Sequence, residues 1–423
     1  MSALKFRTLQ EKLWAIVAAS FFARVIMFFV LPNTPSSLAP DEGTYAALTK
    51  WIAQSKPAAD FPAFGEGLYL SGRSIIVPSS ALNRLGMDEL DAVRFISSIY
   101  GFLSLVLLTF FALKLLNKTE DLSKFNARLV LLFFTVFAFL PSHFVWSTLG
   151  LREGPNEFWV LLSLTSVFVI FHLKTRFQPL IYLVLCASIV MCYSTRPQVG
   201  LVLGFGLLVY LITQIRKARS LLAISAVIVG IAIGSIGTSG TASVSIVEDP
   251  GVVIGMVDGV PSKHAGNQVA AASKIETLDC PLSKNSIIAS APSRVETYAC
   301  IIWRSPYMTT TFLLRPFIVG DVTSASSAFA ALENIIWLAA FGLIAFLIVK
   351  RRGIPRFNQL APSIIFFSLY VVGAGAYEGN MGTAFRHKSL ILWVVLALLL
   401  SLLWRNSQTS TPDSRNKTTE SAV

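Results

Sequence analysis

The feature that most constrains this chain is a series of apolar runs, each about 17–24 residues long, which recurs along most of its length. A helix of that length matches the hydrocarbon thickness of a bilayer. In lipid each backbone polar group needs a partner within its own segment, so helices are the expected spans. Only 14% of the residues are charged, against about 25% in soluble domains. The fold class predicted is therefore all-α: a polytopic helical membrane protein.

The apolar runs predict ten transmembrane helices, and the charges between them predict their orientation. The spans are about 13–31, 93–116, 128–149, 156–173, 179–194, 198–215, 220–238, 327–349, 358–377 and 389–404. The first run contains Arg24 and is therefore interpreted as a span and not as a cleaved signal peptide. With the N-terminus inside, Lys and Arg outnumber Asp and Glu in every inner segment. The positive-inside rule then predicts an N-in/C-in topology and explains the net charge of +12 without nucleic acid.

This topology predicts one transmembrane domain, residues 1–404, followed by a polar cytoplasmic tail, residues 405–423, that is expected to be disordered. Two long segments, about 32–92 and 239–326, fall on the outer side. Any chemistry is therefore expected at the outer face. Cys280 and Cys300 both lie in the second outer segment and are candidates for a disulfide in an oxidising compartment.

An acid pair, Asp41-Glu42, follows the first span within the stretch "PDEGTY". Asp41 is predicted to cap a helix and Glu42 to lie in its first turn. Tyr45, Leu48 and Trp51 then recur at helical spacing, as in a helix that lies along the membrane surface. Two interpretations remain open at this point: the acids only start a helix, or one of them is a catalytic base.

Several cations and polar groups are predicted at the outer ends of different spans. They are Arg94, Arg152, Glu153, Arg196, Arg315, Asn380, Arg386 and His387. Arginine binds phosphate in a bidentate manner and could line one cavity with the acid pair. The alternatives are arginines that extend to lipid headgroups and a solvated Arg152–Glu153 ion pair.

The sequence predicts neither a zinc site nor a nucleotide site. The four histidines are scattered without HxxxH or HxxE spacing, and no Walker or GxGxxG motif occurs. A hard divalent cation, Mg²⁺ or Mn²⁺, on Asp41 or Glu42 remains an open alternative, because such ions use oxygen ligands and bridge phosphates.

The order of these motifs resembles that of the GT-C membrane glycosyltransferases, which include the protein O-mannosyltransferases and the aminoarabinose lipid A transferases. The matching elements are Asp41-Glu42, Tyr45, the "LNRLG" turn, Arg94 and Gly101. Arg386 in "GNMGTAFRHK" resembles the late arginine of that family. The resemblance covers about residues 13–200. It departs from the family at "SIIVPSS", where many members have His-Pro-Pro before the surface helix.

The resemblance implies a sugar transferase for polysaccharide biosynthesis in the cell envelope, in a bacterial inner membrane with its active site facing outward. The donor would be a polyprenyl-phosphate-linked sugar, and the acceptor a glycan, a lipid or a protein. Asp41 or Glu42 would be the general base, and the outer arginines would bind phosphate. The alternatives are a polysaccharide polymerase or ligase that acts on lipid pyrophosphates, and a flippase or other transporter without enzymatic activity.

Overall fold

A computed structural model describes most of the chain. The described residues are 2–36, 39, 41–62, 65–116, 124–173, 175–238, 303, 305–307, 309–317, 321–322, 325–351, 353–354, 356–377 and 385–404. Within them the regular secondary structure is entirely helical, which confirms the all-α fold class. Asn380, Cys280, Cys300 and the tail 405–423 lie outside these residues, as does most of the segment 239–326.

The helices follow one another closely along the chain. They are α1 Ser2–Val30, α2 Asp41–Ala53, α3 Gly65–Arg84, α4 Glu89–Leu116, α5 Lys124–Ala138, α6 Pro141–Thr148, α7 Glu153–His172, α8 Gln178–Thr195, α9 Pro197–Thr213, α10 Ala218–Thr238, α11 Ala325–Arg351, α12 Phe357–Tyr377 and α13 Ser389–Trp404. In the described part of the chain, eight helical segments are long and apolar enough to cross a membrane, and α9 and α13 are shorter apolar helices. The protein is therefore a polytopic helical membrane protein.

Helix α13 lies at the centre of the bundle. All residues from Ser389 to Leu403 are buried, including Trp393, which is 1% exposed. A helix that is apolar on every side is typical of such a central position. Its only 16 residues are consistent with a helix surrounded by protein, since it presents little surface to lipid.

The third predicted span, 128–149, is interrupted in the structure. Helix α5 ends at Ala138 and α6 begins at Pro141, with Leu140 in extended conformation between them. Proline has no N–H to donate and restricts the residue before it, so the helix breaks at this point. The backbone N–H of Ser142 in the new first turn donates to the carboxylate of Glu333 on α11, at 2.7 Å. The break thereby joins α6 to α11.

Helices α8 and α10 approach each other through small residues. A Cβ atom on Gly230 would lie 3.0 Å from the carbonyl oxygen of Cys186, and one on Gly234 would lie 2.6 Å from Cβ of Tyr193. The two glycines are four residues apart and share a face of α10, as in small-xxx-small contacts between membrane helices. This packing holds the end of α8, which leads directly to Arg196.

Helices α2 and α3 form a layer beside the end of the bundle, with a small apolar core of their own. Tyr45 and Leu48 of α2 pack with Ile75 of α3 and Val93 of α4, and all four side chains are buried. The predicted helical face of α2 is therefore confirmed. Helix α2 begins at Asp41 itself, so both acids lie in its first turn, whereas the sequence predicted Asp41 in the position before that turn.

Candidate functional site

Glu42 and Arg94 form a completely buried ion pair between α2 and α4. Nε of Arg94 donates to one carboxylate oxygen of Glu42 at 2.8 Å, and Nη2 donates to the other at 3.1 Å. The backbone N–H groups of Ser36 and Gly150 donate to the same carboxylate, at 2.8 and 2.9 Å. Burial alone raises the pKa of Glu42, but these hydrogen bonds outweigh it, and the net pKa lies below the ordinary value.

The same ion pair fixes two loops in place. Arg94 also donates to the carbonyl oxygens of Pro32 and Thr34, at 2.8 and 3.0 Å, and so holds the segment between α1 and α2. Glu42 reaches Gly150, in the turn between α6 and α7. All the hydrogen-bonding groups of this carboxylate and guanidinium therefore act to position neighbouring backbone.

Asp41, the adjacent residue, faces outward from the first turn of α2. Its side chain is 61% exposed, and one of its oxygens lies 3.5 Å from Nη1 of Arg386. The Arg386 guanidinium also lies over the ring of Trp146, 5.9 Å from its centroid. Trp146 in turn contacts Phe385 edge-on. Asp41 thus presents an accessible carboxylate beside a cation that an aromatic residue supports.

Glu153, Arg196 and His387 meet at the start of α7. Nη2 of Arg196 donates to Glu153 at 2.8 Å, and Nη1 of Arg196 contacts Nε2 of His387. Glu153 is 5% exposed and lies within electrostatic range of Arg152 and Arg386 as well. These groups come from the junctions between α6 and α7, between α8 and α9, and before α13.

Tyr45 connects these charges with Asp41. Burial raises the pKa of its hydroxyl, and the charges of Arg152, Glu153, Arg196 and Asp41 also act on it. The seven residues that meet here are named the Asp41 cluster. They are Asp41, Tyr45, Arg152, Glu153, Arg196, Arg386 and His387. The cluster contains three arginines and two carboxylates, which suits it to bind a further anion.

Arg315 is held in a separate ion pair. Its guanidinium binds both oxygens of Asp321, and this hydrogen bonding raises the pKa of Arg315 above its ordinary value. The carbonyl oxygen of Arg315 accepts a hydrogen bond of 2.7 Å from the buried ammonium of Lys388, which also donates to Asn334 at 2.8 Å. These contacts attach the Arg315 segment to α11 and to the start of α13.

The sequence analysis overlooked two groups near the cluster. Lys388 directly follows His387 and is completely buried; burial lowers its pKa to about 7. Arg73 lies on α3 beside Ser74, whose hydroxyl is 2.7 Å from that of Thr195, the residue before Arg196. Nε of Arg73 is buried and has no hydrogen-bond partner among the described residues. Arg73 falls within the "SGRSIIVPSS" stretch, so an arginine in the predicted outer loop was the available signal.

A second ionisable group lies deeper in the bundle. Nη2 of Arg24 on α1 is 3.0 Å from Nε2 of His143 on α6, and Nδ1 of that ring is 2.8 Å from a carboxylate oxygen of Glu157 on α7. All three side chains are buried. Arg24 also donates to Ser147 at 3.1 Å. The sequence analysis saw Arg24 as an isolated charge within a span, because nothing local pairs it with residues 119 and 133 positions away.

The metal prediction is not decided by this geometry. In the part of the chain that the structure describes, no three His, Cys, Asp or Glu side chains are grouped to hold a metal ion. Four donors already occupy the Glu42 carboxylate. Asp41, with its exposed oxygens, is the better placed of the two acids to bind a divalent cation. A Mg²⁺ or Mn²⁺ ion at this position stays a prediction.

Comparison with known proteins adds no family to this picture: no protein-family model matches the chain, and no curated protein matches it either. The resemblance to the GT-C glycosyltransferases therefore depends on the residues that carry it. Of those residues, Asp41, Tyr45 and Arg386 meet in the cluster, and Arg94 binds Glu42.

Proposed function

We propose that this protein transfers a sugar from a polyprenyl-phosphate-linked donor to an acceptor hydroxyl at the extracytoplasmic face of the membrane. The observation that carries the proposal is the pairing of an exposed carboxylate, Asp41, with the guanidinium of Arg386 at 3.5 Å. The surrounding cluster has more cations than carboxylates. A lipid phosphate is an activated leaving group, so the reaction needs no nucleotide.

Asp41 serves as the general base in this proposal. It removes the proton of the acceptor hydroxyl while that oxygen forms a bond to the anomeric carbon of the sugar. The bond between the anomeric carbon and the phosphate oxygen breaks, and the phosphate leaves with the electron pair. Arg386 and Arg196 stabilise the charge that develops on the departing phosphate. Glu42 and Arg94 hold Asp41 and the turn before Glu153 in position.

The proposed topology follows from the charges at the helix ends. Ten spans, with α9 and α13 as the two short ones, and an N-in/C-in orientation put the Asp41 cluster on the outer side. Because lipid-linked sugars are used at that face, the active site opens toward the outer leaflet. The proposed location is a bacterial inner membrane, with the reaction contributing to a cell-envelope polysaccharide.

Transfer can be tested with the purified protein in liposomes that contain one polyprenyl-phosphate-linked sugar at a time, with a membrane extract as the source of acceptors. Release of polyprenyl phosphate together with labelled product is the expected result. Asp41→Asn should abolish both, while Asp60→Asn, which changes an exposed carboxylate of the same outer segment, should leave them intact. Full activity of Asp41→Asn and Glu42→Gln, singly and combined, would exclude the proposed role of the acid pair.

Orientation has its own test. Asp60→Cys should react in intact cells with a maleimide that cannot cross membranes, because residue 60 is exposed in the segment that contains α2. Labelling only after the cells are broken would put the Asp41 cluster in the cytoplasm and overturn the scheme.

A lipid-linked glycan transporter is a second candidate, and one observation favours it. Arg24, His143 and Glu157 form a buried chain of ionisable groups inside the bundle, and such groups often mark transport pathways. Movement of a fluorescent lipid-linked sugar between leaflets, without sugar transfer and lost in Glu157→Gln, would support the transporter over the transferase.

A further inference from the structure

A cavity of about 840 Å³ opens at the end of the bundle opposite the Asp41 cluster. It lies among the first turns of α1, the last turns of α4 and α7, and the start of α12. Helices α4 and α7 each run from the Asp41 side, where Arg94 and Glu153 lie, to this cavity. The two sites are therefore separated by the length of the bundle, and the cavity has no part in the proposed transfer.

The cavity combines cations with an apolar wall. Lys114, Arg356 and His172 contribute its basic groups. Phe110 and Phe168, with neighbouring leucines, contribute the apolar part. This composition matches an amphiphile that carries a phosphate, because arginine and lysine bind the phosphate oxygens while aromatic and aliphatic side chains cover hydrocarbon.

Two buried polar atoms in the wall have no hydrogen-bond partner among the described residues. They are Nε2 of His172 and Oε1 of Gln359. The backbone of Asn358 already engages the His172 ring, so Nε2 is the nitrogen left for a ligand. Buried polar atoms are normally satisfied, and one left without a partner costs about 1–3 kcal/mol. A ligand with a hydroxyl group next to its phosphate would satisfy the Gln359 oxygen.

The position of the cavity indicates where such a ligand comes from. Trp14 lines it and is 38% exposed, as are many tryptophans at the membrane–water interface. Lys114 and Arg356 lie at helix ends, at the depth where basic residues meet anionic headgroups. A ligand can therefore enter from the bilayer with its headgroup in the cavity and its chains in lipid.

We propose that this cavity is a binding site for the headgroup of an anionic phospholipid with a free hydroxyl, such as phosphatidylglycerol. Lys114 and Arg356 bind its phosphate, and Gln359 accepts a hydrogen bond from its glycerol. The bound lipid stabilises the folded protein, because it binds the native helices and not the unfolded chain.

The test is a lipid titration of the full-length protein in detergent, with the thermal unfolding midpoint and native mass spectrometry as readouts. The probes are dioctanoyl phosphatidylglycerol, dioctanoyl phosphatidylcholine and glycerol phosphate. Phosphatidylglycerol should bind at least tenfold more tightly than phosphatidylcholine and should raise the unfolding midpoint. Glycerol phosphate, which lacks the chains, should not compete with it.

Two kinds of variant should weaken phosphatidylglycerol binding at least tenfold. One is the double change Lys114→Gln/Arg356→Gln, and the other is Gln359→Glu, which adds a negative charge to the cavity without removing a cation. The matched control, Arg128→Gln/Arg216→Gln, removes two exposed cations near the same end of the bundle and should bind normally.

Three results would overturn the proposal. Equal weakening by the cavity and control variants would show only a bulk charge effect. Equal binding of phosphatidylglycerol and phosphatidylcholine would exclude recognition of an anionic headgroup. Competition by glycerol phosphate at the same concentration as the lipid would show a site for soluble phosphate esters. None of these readouts depends on sugar transfer.

Discussion

Asp41 and Glu42 are adjacent in the chain, yet the Asp41 side chain is 61% exposed and the Glu42 side chain is completely buried. Both lie in the first turn of α2, where successive residues point about 100° apart around the helix axis. Glu42 meets Arg94 and two backbone N–H groups, whereas Asp41 meets Arg386. One acid therefore holds the structure together and its neighbour remains free for chemistry.

Asp41→Asn is expected to reduce sugar transfer by about 100-fold or more, because a general base contributes about 10²–10⁴ to a rate. The side chain is exposed, so folding should not change. Initial rates in liposomes and the thermal unfolding midpoint measure the two effects separately. A variant that loses stability along with activity would point to a structural role for Asp41.

Glu42→Gln is expected to destabilise the protein by about 3–5 kcal/mol, because it leaves the buried Arg94 guanidinium without its counterion. Denaturant unfolding measures the loss. The paired change Glu42→Gln/Arg94→Met removes both charges and should recover part of the stability. If the double variant is as unstable as the two single losses added together, the pair does not interact as the geometry indicates.

Glu42 also predicts the direction of acid sensitivity. Its folded-state pKa lies below the ordinary value of 4.5, so its contribution to stability is complete above pH 4.5 and is lost as the pH falls toward the folded-state pKa. The unfolding free energy of the wild type should therefore fall more steeply than that of Glu42→Gln below about pH 4.5. Parallel pH profiles of the two proteins would contradict this assignment.

Arg386→Ala is expected to weaken binding of a polyprenyl phosphate by about tenfold, the range of one charge-assisted contact, and to affect acceptor binding less. Arg386 lies 3.5 Å from Asp41 and packs on Trp146, which orients it beside the site. Arg216→Ala, an exposed arginine distant from the Asp41 cluster in the chain, is the control. Equal losses for donor and acceptor would show that Arg386 does not recognise phosphate.

Glu157→Gln is expected to cost about 3–5 kcal/mol, since it removes the negative charge of a buried group that contains Arg24. Glu153→Gln, one turn earlier on α7, is the comparison, and there transfer should suffer more than stability because Glu153 belongs to the Asp41 cluster. Unfolding in denaturant and initial rates separate the two variants. Wild-type stability of Glu157→Gln would show that the buried chain does not hold α1, α6 and α7 together.

The helices could largely be predicted from local pattern. Apolar runs of sufficient length correspond to the eight membrane-length helices and to α9 and α13. "PDEGTY" predicted the start of α2, and the spacing of Tyr45 and Leu48 predicted its buried face. These features depend on neighbours within a few residues, which is why a single sequence reveals them. The interruption before Pro141 was also present in the sequence, although the uniform apolarity around it concealed the break.

The partners of the polar residues were decided only by tertiary structure. Glu42 binds residues 52 and 108 positions away, and no local pattern distinguishes it from Asp41. The same holds for Arg315, which was predicted beside the acid pair but is bound by Asp321, and for Arg24 with His143. By itself the sequence determined which segments become membrane helices, because that depends on the transfer of local apolar surface into lipid. Only the packed bundle decided which carboxylate is buried and which is accessible, because that depends on the cations and N–H groups that distant helices bring to each one.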